Sequence, residues 1–200
     1  MSAGLRSGRP VRSLLLASLL ASTLAIAQTP PRPTAKKVPA KRVNELTLAG
    51  LRPGRDGATK ATSLYHKSSM WPSTKDEQLA RVDTCHGQVF TIGLDGDQRI
   101  QVLRVARGPQ VGDCVFRKPI PWKTGHGLRV GDSTEKVAQL YGEPDSRSPS
   151  TKDGQPLELW YYAFDWAGPD VPQVMEVLCT KEKDGEPGRV VEITLAAPSL

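Results

Sequence analysis

Apolar positions are arranged in this chain in three ways: as one unbroken run, at helical spacing, and in alternation. The run is Leu14 to Ala27, LLLASLLASTLAIA. Helical spacing occurs twice. Val137, Leu140 and Tyr141 fall at i, i+3 and i+4, and Gly131-Asp132-Ser133-Thr134-Glu135 ahead of them offers a capping residue with a carboxylate in the first turn. Gly142 and Pro144 close the pattern, which predicts a helix over about 133–141. Ala58, Ala61, Leu64 and Tyr65 make an earlier stripe with Asp56 as its cap, weakened by Gly57, Thr59 and Thr62. Alternation predicts strands over 79–85, 87–94 and 99–106, with Asp95-Gly96 as a tight turn. It predicts three more over 157–164, 172–180 and 189–196, with Asp184-Gly185 in a longer turn.

The two series are related. Displacing the chain by 77 residues lays Gly50-Leu51-Arg52 on Gly127-Leu128-Arg129 and Pro72 to Asp76 on Pro149 to Asp153, with twelve identities across residues 50–78. A period of this length marks an internal duplication. The expected fold is therefore α+β: two tandem repeats, each a short helix packed on a three-stranded antiparallel meander. The expected boundaries are repeat 1 at 44–110, a connector at 111–126 and repeat 2 at 127–200. A three-stranded sheet buries little alone, so the copies are expected to pack together or to pair sheet edges.

The apolar run follows Arg6, Arg9 and Arg12 and ends on Ala25-Ile26-Ala27. It is shorter than the roughly 20 residues that span a bilayer, so residues 1–27 are expected to be a cleaved signal peptide and no integral span is expected. The protein is then periplasmic or secreted. Residues 28–43, QTPPRPTAKKVPAKRV, read as a disordered spacer rich in proline and basic groups. The spacer is either simply solvated or in weak contact with an anionic envelope surface. Charge follows the same division. Residues 1–43 hold eight of the 27 Lys and Arg and none of the 21 acids, so the overall +6 belongs to the N-terminal end. The remainder is close to neutral, and no nucleic-acid partner is expected.

Gly127 through Asp132, Val137, Leu140 through Asp145, and Leu159-Trp160-Tyr161-Tyr162 together resemble the SmpA/OmlA (BamE-like) outer-membrane assembly lipoprotein domain. In that domain a helix ending in L-G-x-P leads into a W-x-Y strand. Two such elements in tandem are also similar to the β-lactamase-inhibitory proteins. Both resemblances imply a binding module and neither implies an enzyme. The cysteine that would carry an acyl anchor is absent, and no functional residue transfers from either family.

Three cysteines allow one disulfide. Cys179 alternates with Met175 and Val177 and reads as a buried hydrophobe, which leaves Cys85 with Cys114 as the expected bridge. The bridge closes a loop worth about 3 to 4 kcal/mol. His66, His86 and His126 lack metal-ligand spacing, so no metal or cofactor is expected. Cys85 and His86 are neighbours that point to opposite faces of a strand. No Gly-x-Ser-x-Gly elbow occurs, and Ser63 to Ser73 and Ser146 to Ser150 read as loops. No catalytic residue is identified. The candidate binding residues are the aromatic group Trp160, Tyr162, Phe164 and Trp166. In a strand Trp160, Tyr162 and Phe164 share a face opposite Leu159, Tyr161 and Ala163, so either one set is an open adhesive patch or the helix covers one face and the other repeat the second. These features predict a non-enzymatic module binding an envelope or extracellular protein. The alternative is a small periplasmic hydrolase or thiol enzyme without a recognisable motif.

Overall fold

The computed structural model describes residues 43–65, 71–73, 78–111, 122–164 and 173–197; the expected signal peptide and the expected linker up to residue 42 lie outside them. The described elements are α1 (Ala58–Tyr65), β1 (Trp71–Ser73), β2 (Gln78–Asp83), β3 (Gln88–Leu94), β4 (Ile100–Arg107), α2 (Thr134–Tyr141), β5 (Ser146–Lys152), β6 (Gln155–Phe164), β7 (Gln173–Thr180) and β8 (Val190–Ala196). The eight strands form a single antiparallel sheet in the order β1-β2-β3-β4-β8-β7-β6-β5. This corrects the expected architecture. There are not two tandem units of a helix on a three-stranded meander. There is one continuous sheet carrying two short helices, joined at its centre by β4 and β8 in the register Val102↔Ala196 to Ala106↔Glu192.

The strands that pattern reading omits are β1 and β5. β5 is SRSPSTK, largely exposed and without apolar alternation. Its pairing comes from the hairpin instead. Asp153 and Gly154 take φ of 51° and 75°, the paired left-handed conformation of a two-residue turn that matches strand twist. From there the register runs Lys152↔Gln155 to Ser146↔Tyr161. Pro149 is accommodated because β5 lies at the end of the sheet order, where a missing N–H costs no ladder bond. Ser146 to Ser150, expected as loop, are thus an edge strand.

α2 starts where the sequence places it, and α1 starts at Ala58, two residues beyond Asp56. Ser133 caps α2 by accepting a hydrogen bond from Lys136 N, and Gly142 at φ 74° ends it. Asp56 does not cap α1 in this way. Its Oδ2 accepts from Arg52 N and Lys60 Nζ, both at 2.8 Å. Asp132 Oδ2 accepts from Arg129 N and Lys136 Nζ at the same distances, bracing the turn ahead of α2. Leu64, placed in the apolar stripe of α1, is half-exposed, whereas Ala61 and Tyr65 are buried.

One sheet face carries the core. Phe90 and Ile92 of β3, Leu103 and Val105 of β4, Ile193 and Leu195 of β8, Met175 and Val177 of β7, and Trp160, Tyr162 and Phe164 of β6 join one cluster with α1, α2 and the segments around Leu48 and Trp122. Aromatic contacts stitch the layers. Tyr65 packs edge-on to Phe90 at 5.4 Å, and Tyr141 meets Tyr162 and Phe164 at 5.8 and 6.0 Å.

Into this layer the chain buries a carboxylate, Glu45, which is 1% exposed. Burial of a charge is tolerated only with full hydrogen bonding. Oε1 accepts from Leu46 N, Thr47 N and Gly125 N at 2.9 to 3.0 Å. Oε2 accepts from His126 N at 3.1 Å and from Tyr141 Oη at 2.7 Å. A directed chain stands behind the phenol: Leu128 N donates to Thr124 Oγ1, which lies 2.7 Å from Tyr141 Oη. Burial, reinforced by the Glu45 charge, pushes the Tyr141 phenol well above its ordinary value, so it remains a donor. Gly125 is required here for space, since a Cβ would lie 2.7 Å from both Glu45 Oε1 and Thr47 Oγ1.

Two unfolding measurements check this cradle. Gly125→Ala is expected to lose about 1 to 3 kcal/mol through overpacking. Glu45→Ala, which strands five donors, is expected to lose about 3 kcal/mol or more. Denaturant midpoints equal to that of the parent protein would mean that the carboxylate does not anchor residues 44–47.

Candidate functional site

The aromatic residues expected as a binding patch are core residues. Trp160, Tyr162 and Phe164 are 5%, 0% and 1% exposed, on the face of β6 that meets the helices, and Trp166 lies outside the described residues. Of the two arrangements the sequence left open, the covered one is observed for these three. Tyr162 Oη donates to Gly142 O at 3.1 Å, and Tyr162 stacks on Phe164. Arg147 lies over the Trp160 ring at 4.0 Å from its centroid.

Of the cysteines, Cys179 is fully buried and Cys85 is partly buried. Cys85 is disulfide-bonded, Cys179 is a free and buried thiol, and Cys114 lies outside the described residues. Burial, with the nearby Glu158 carboxylate adding to it, pushes the Cys179 thiol up to about 12. A nucleophile needs the thiolate, so Cys179 is placed as packing. His86 Nδ1 lies 2.8 Å from Asp83 Oδ2. His126 packs edge-on to Tyr141 and lies 3.1 Å from Asn44 O through Nε2. Among the described residues no group of three or more His, Cys, Asp or Glu could hold a metal ion.

The second face of the sheet carries the set opposite these aromatics, with Leu159, Tyr161 and Ala163 on β6. Cross-strand register lays its side chains in rows. One row runs Val82, Val89, Ala106, Glu192, Leu178, Leu159 across six strands. The next runs Thr91, Arg104, Thr194, Glu176, Tyr161. A third holds Val102, Ala196, Val174 and Ala163. Both helices pack into the main cluster on the other face. The small cluster of Leu157, Leu159, Leu178 and Val191 is built from strand residues alone. Val82 is 44% exposed.

Glu192 organises the middle of this face. Its Oε2 accepts from Lys152 Nζ at 2.6 Å, its Oε1 lies 3.3 Å from Arg104 Nε, and Thr194 Oγ1 donates to it at 3.5 Å. Lys152 belongs to β5, three strand steps from β8, a separation of roughly 14 Å in a flat sheet. The two side chains must therefore lie along the face, over the strands that carry Leu157 and Leu178. The Arg104 side chain is 52% exposed and leaves its charge at the surface.

No protein-family profile, curated protein or solved structure matches this chain. Among the described residues no helix is long and apolar enough to cross a membrane.

One substitution and one labelling measurement separate packing from binding. Trp160→Ala is expected to cost about 3 to 5 kcal/mol of stability, read by denaturant unfolding. Cys179 is expected to remain unlabelled by a thiol reagent at pH 8 in the folded protein, because that pH lies well below its raised value, and to react at once in denaturant. Rapid labelling of the native protein would show a thiolate that burial does not restrain.

Proposed function

We propose that this chain is an exported, non-enzymatic protein-binding module of the cell envelope or extracellular space, and that the second face of its sheet is the binding surface. The observation that carries the reading is the composition of that face. Apolar rows through Val82, Val89 and Leu159, and through Val102 and Val174, flank a row holding Arg104 and Tyr161, and no helix of the described residues lies on them. Tyrosine and arginine between apolar neighbours are the residue types that anchor protein interfaces. The half-exposed Arg104 favours a folded partner that presents an acidic residue within an apolar surface.

The resemblance of residues 127–162 to the SmpA/OmlA domain supports the same reading, since that domain is a binding module. A thiol enzyme is disfavoured by a disulfide at Cys85 and a buried, strongly protonated thiol at Cys179. The basic residues 28–42 are proposed as a spacer that holds the module off the envelope or touches its anionic surface.

The test is cross-linking of the mature chain, residues 28–200, in the envelope of the source cell. A partner is expected that is retained by Leu64→Lys, on α1, and lost with Tyr161→Ala or Arg104→Glu. Reversing the charge at Arg104 is expected to weaken the purified complex about tenfold or more. Retention of the partner by both face variants would overturn the assignment of the surface.

A further inference from the structure

A second site lies away from that face, at the end of the sheet where the β2–β3 turn meets the loop ahead of α2. His86, Gln88, Arg107, Gln110, Val130 and Gly131 line a cavity of about 310 Å³ there. Four of these six bring polar side chains, and they come from separate parts of the chain. Gln88 and Arg107 are direct cross-strand partners. Val130 and Gly131 close the opposite wall, with Gly131 N already committed to Val190 O and the neighbouring Gly108 N to Gly87 O. The amides of both these glycines are therefore used, and the side chains are the groups argued for recognition.

Those side chains are donors in surplus. Arg107 enters none of the ion pairs among the described residues. His86 is held through Nδ1 by Asp83, whose other oxygen accepts from Cys85 N and His86 N. Its Nε2 is the ring nitrogen left to meet a guest. The amides of Gln88 and Gln110 each add two further donors. The planar guanidinium fork of Arg107 matches the two coplanar oxygens of a carboxylate, and the Asp83 carboxylate held against His86 disfavours the higher charge of a phosphate dianion.

We propose that this cavity binds a carboxylate group, carried either by a small free acid or by an acidic side chain of a protein. The proposal does not rest on the reading of the second sheet face. It is tested by NMR titration of the mature protein with sodium acetate and with a blocked Gly-Glu-Gly peptide, at ionic strength matched with sodium chloride, beside inorganic phosphate. Saturable shifts are expected at the Arg107 Nε–H and the His86 ring signals with acetate, with the peptide, or with both. Tighter peptide binding assigns a protein-borne carboxylate; equal or tighter acetate binding assigns a free acid.

In Arg107→Gln the affinity is expected to fall about tenfold, while Arg107→Lys keeps the charge without the fork and lies between. His86→Gln provides a second, independent loss. Arg107 is exposed at the end of its strand, so the thermal midpoint of the variant is expected to match the parent. Equal shifts in sodium chloride alone, phosphate binding as tightly as either carboxylate, or unchanged affinity in Arg107→Gln and His86→Gln would each overturn the proposal.

Discussion

The pairing of β4 with β8 is the constraint on which the rest of this structure depends. Five residue pairs join the last strand of the first series to the last strand of the second, Val102↔Ala196 through Ala106↔Glu192. A four-stranded sheet with one eight-residue helix would leave most of its apolar face in water. Fusing two of them back to back gives Leu103, Val105, Ile193 and Leu195 a shared interior, all of them fully buried. Antiparallel register then does two things at once. It puts Phe90, Trp160 and Met175 on the face that the helices cover, and it puts Arg104, Glu176 and Tyr161 on the face they do not. A slip of one residue at this seam would exchange the two sets, so core and candidate surface are determined together.

Glu45 serves the same end from outside the sheet. Residues 44–51 add no named strand, yet Leu48 and Leu51 are fully buried in the main cluster. They are tied to the segment at Gly125 and His126 and to α2 through a carboxylate whose two oxygens accept five hydrogen bonds. Residues about 80 and 96 positions apart thereby share one buried charge. The arrangement gives no catalytic advantage, because every acceptor position is filled by a backbone or phenol donor. Its consequence is that residues 44–47, the segment at Gly125 and His126 and α2 are held together on the covered face of the sheet. The proposal that the opposite face binds a partner draws on such a support, since a preorganised surface loses less conformational freedom on association than a mobile one.

Much of the secondary structure was legible along the chain, and little of the surface was. The alternation in residues 88–94, 100–107, 173–180 and 190–196 marks β3, β4, β7 and β8 because one side of each strand is core. β5 escaped because its alternation has no apolar member and its register comes from the Asp153-Gly154 turn. Trp160, Tyr162 and Phe164 were read correctly as sharing one face of a strand. Which face a partner could reach was not legible, since both sides of β6 carry large residues, with Leu159 and Tyr161 on the other. Asp132, Ser133 and Gly142 acted locally and were readable; Asp56 was assigned to a cap but turned back to Arg52, a choice made by the turn in front of it.

By itself the sequence determined what depends on neighbours within a few residues: the period of the strands with a core side, the limits of α2, the turn chemistry, and Cys179 as an apolar position. The tertiary structure alone decided what depends on distant partners. It made one sheet of eight strands instead of two small ones, buried Glu45 under donors from Gly125, His126 and Tyr141, and set Gln88 and Arg107 beside His86 in one cavity. The reason is the range of the forces involved. Backbone conformation and alternation are recorded residue by residue, whereas the partner across a strand edge is chosen by the area two apolar faces remove from water, a quantity that exists only when both are present.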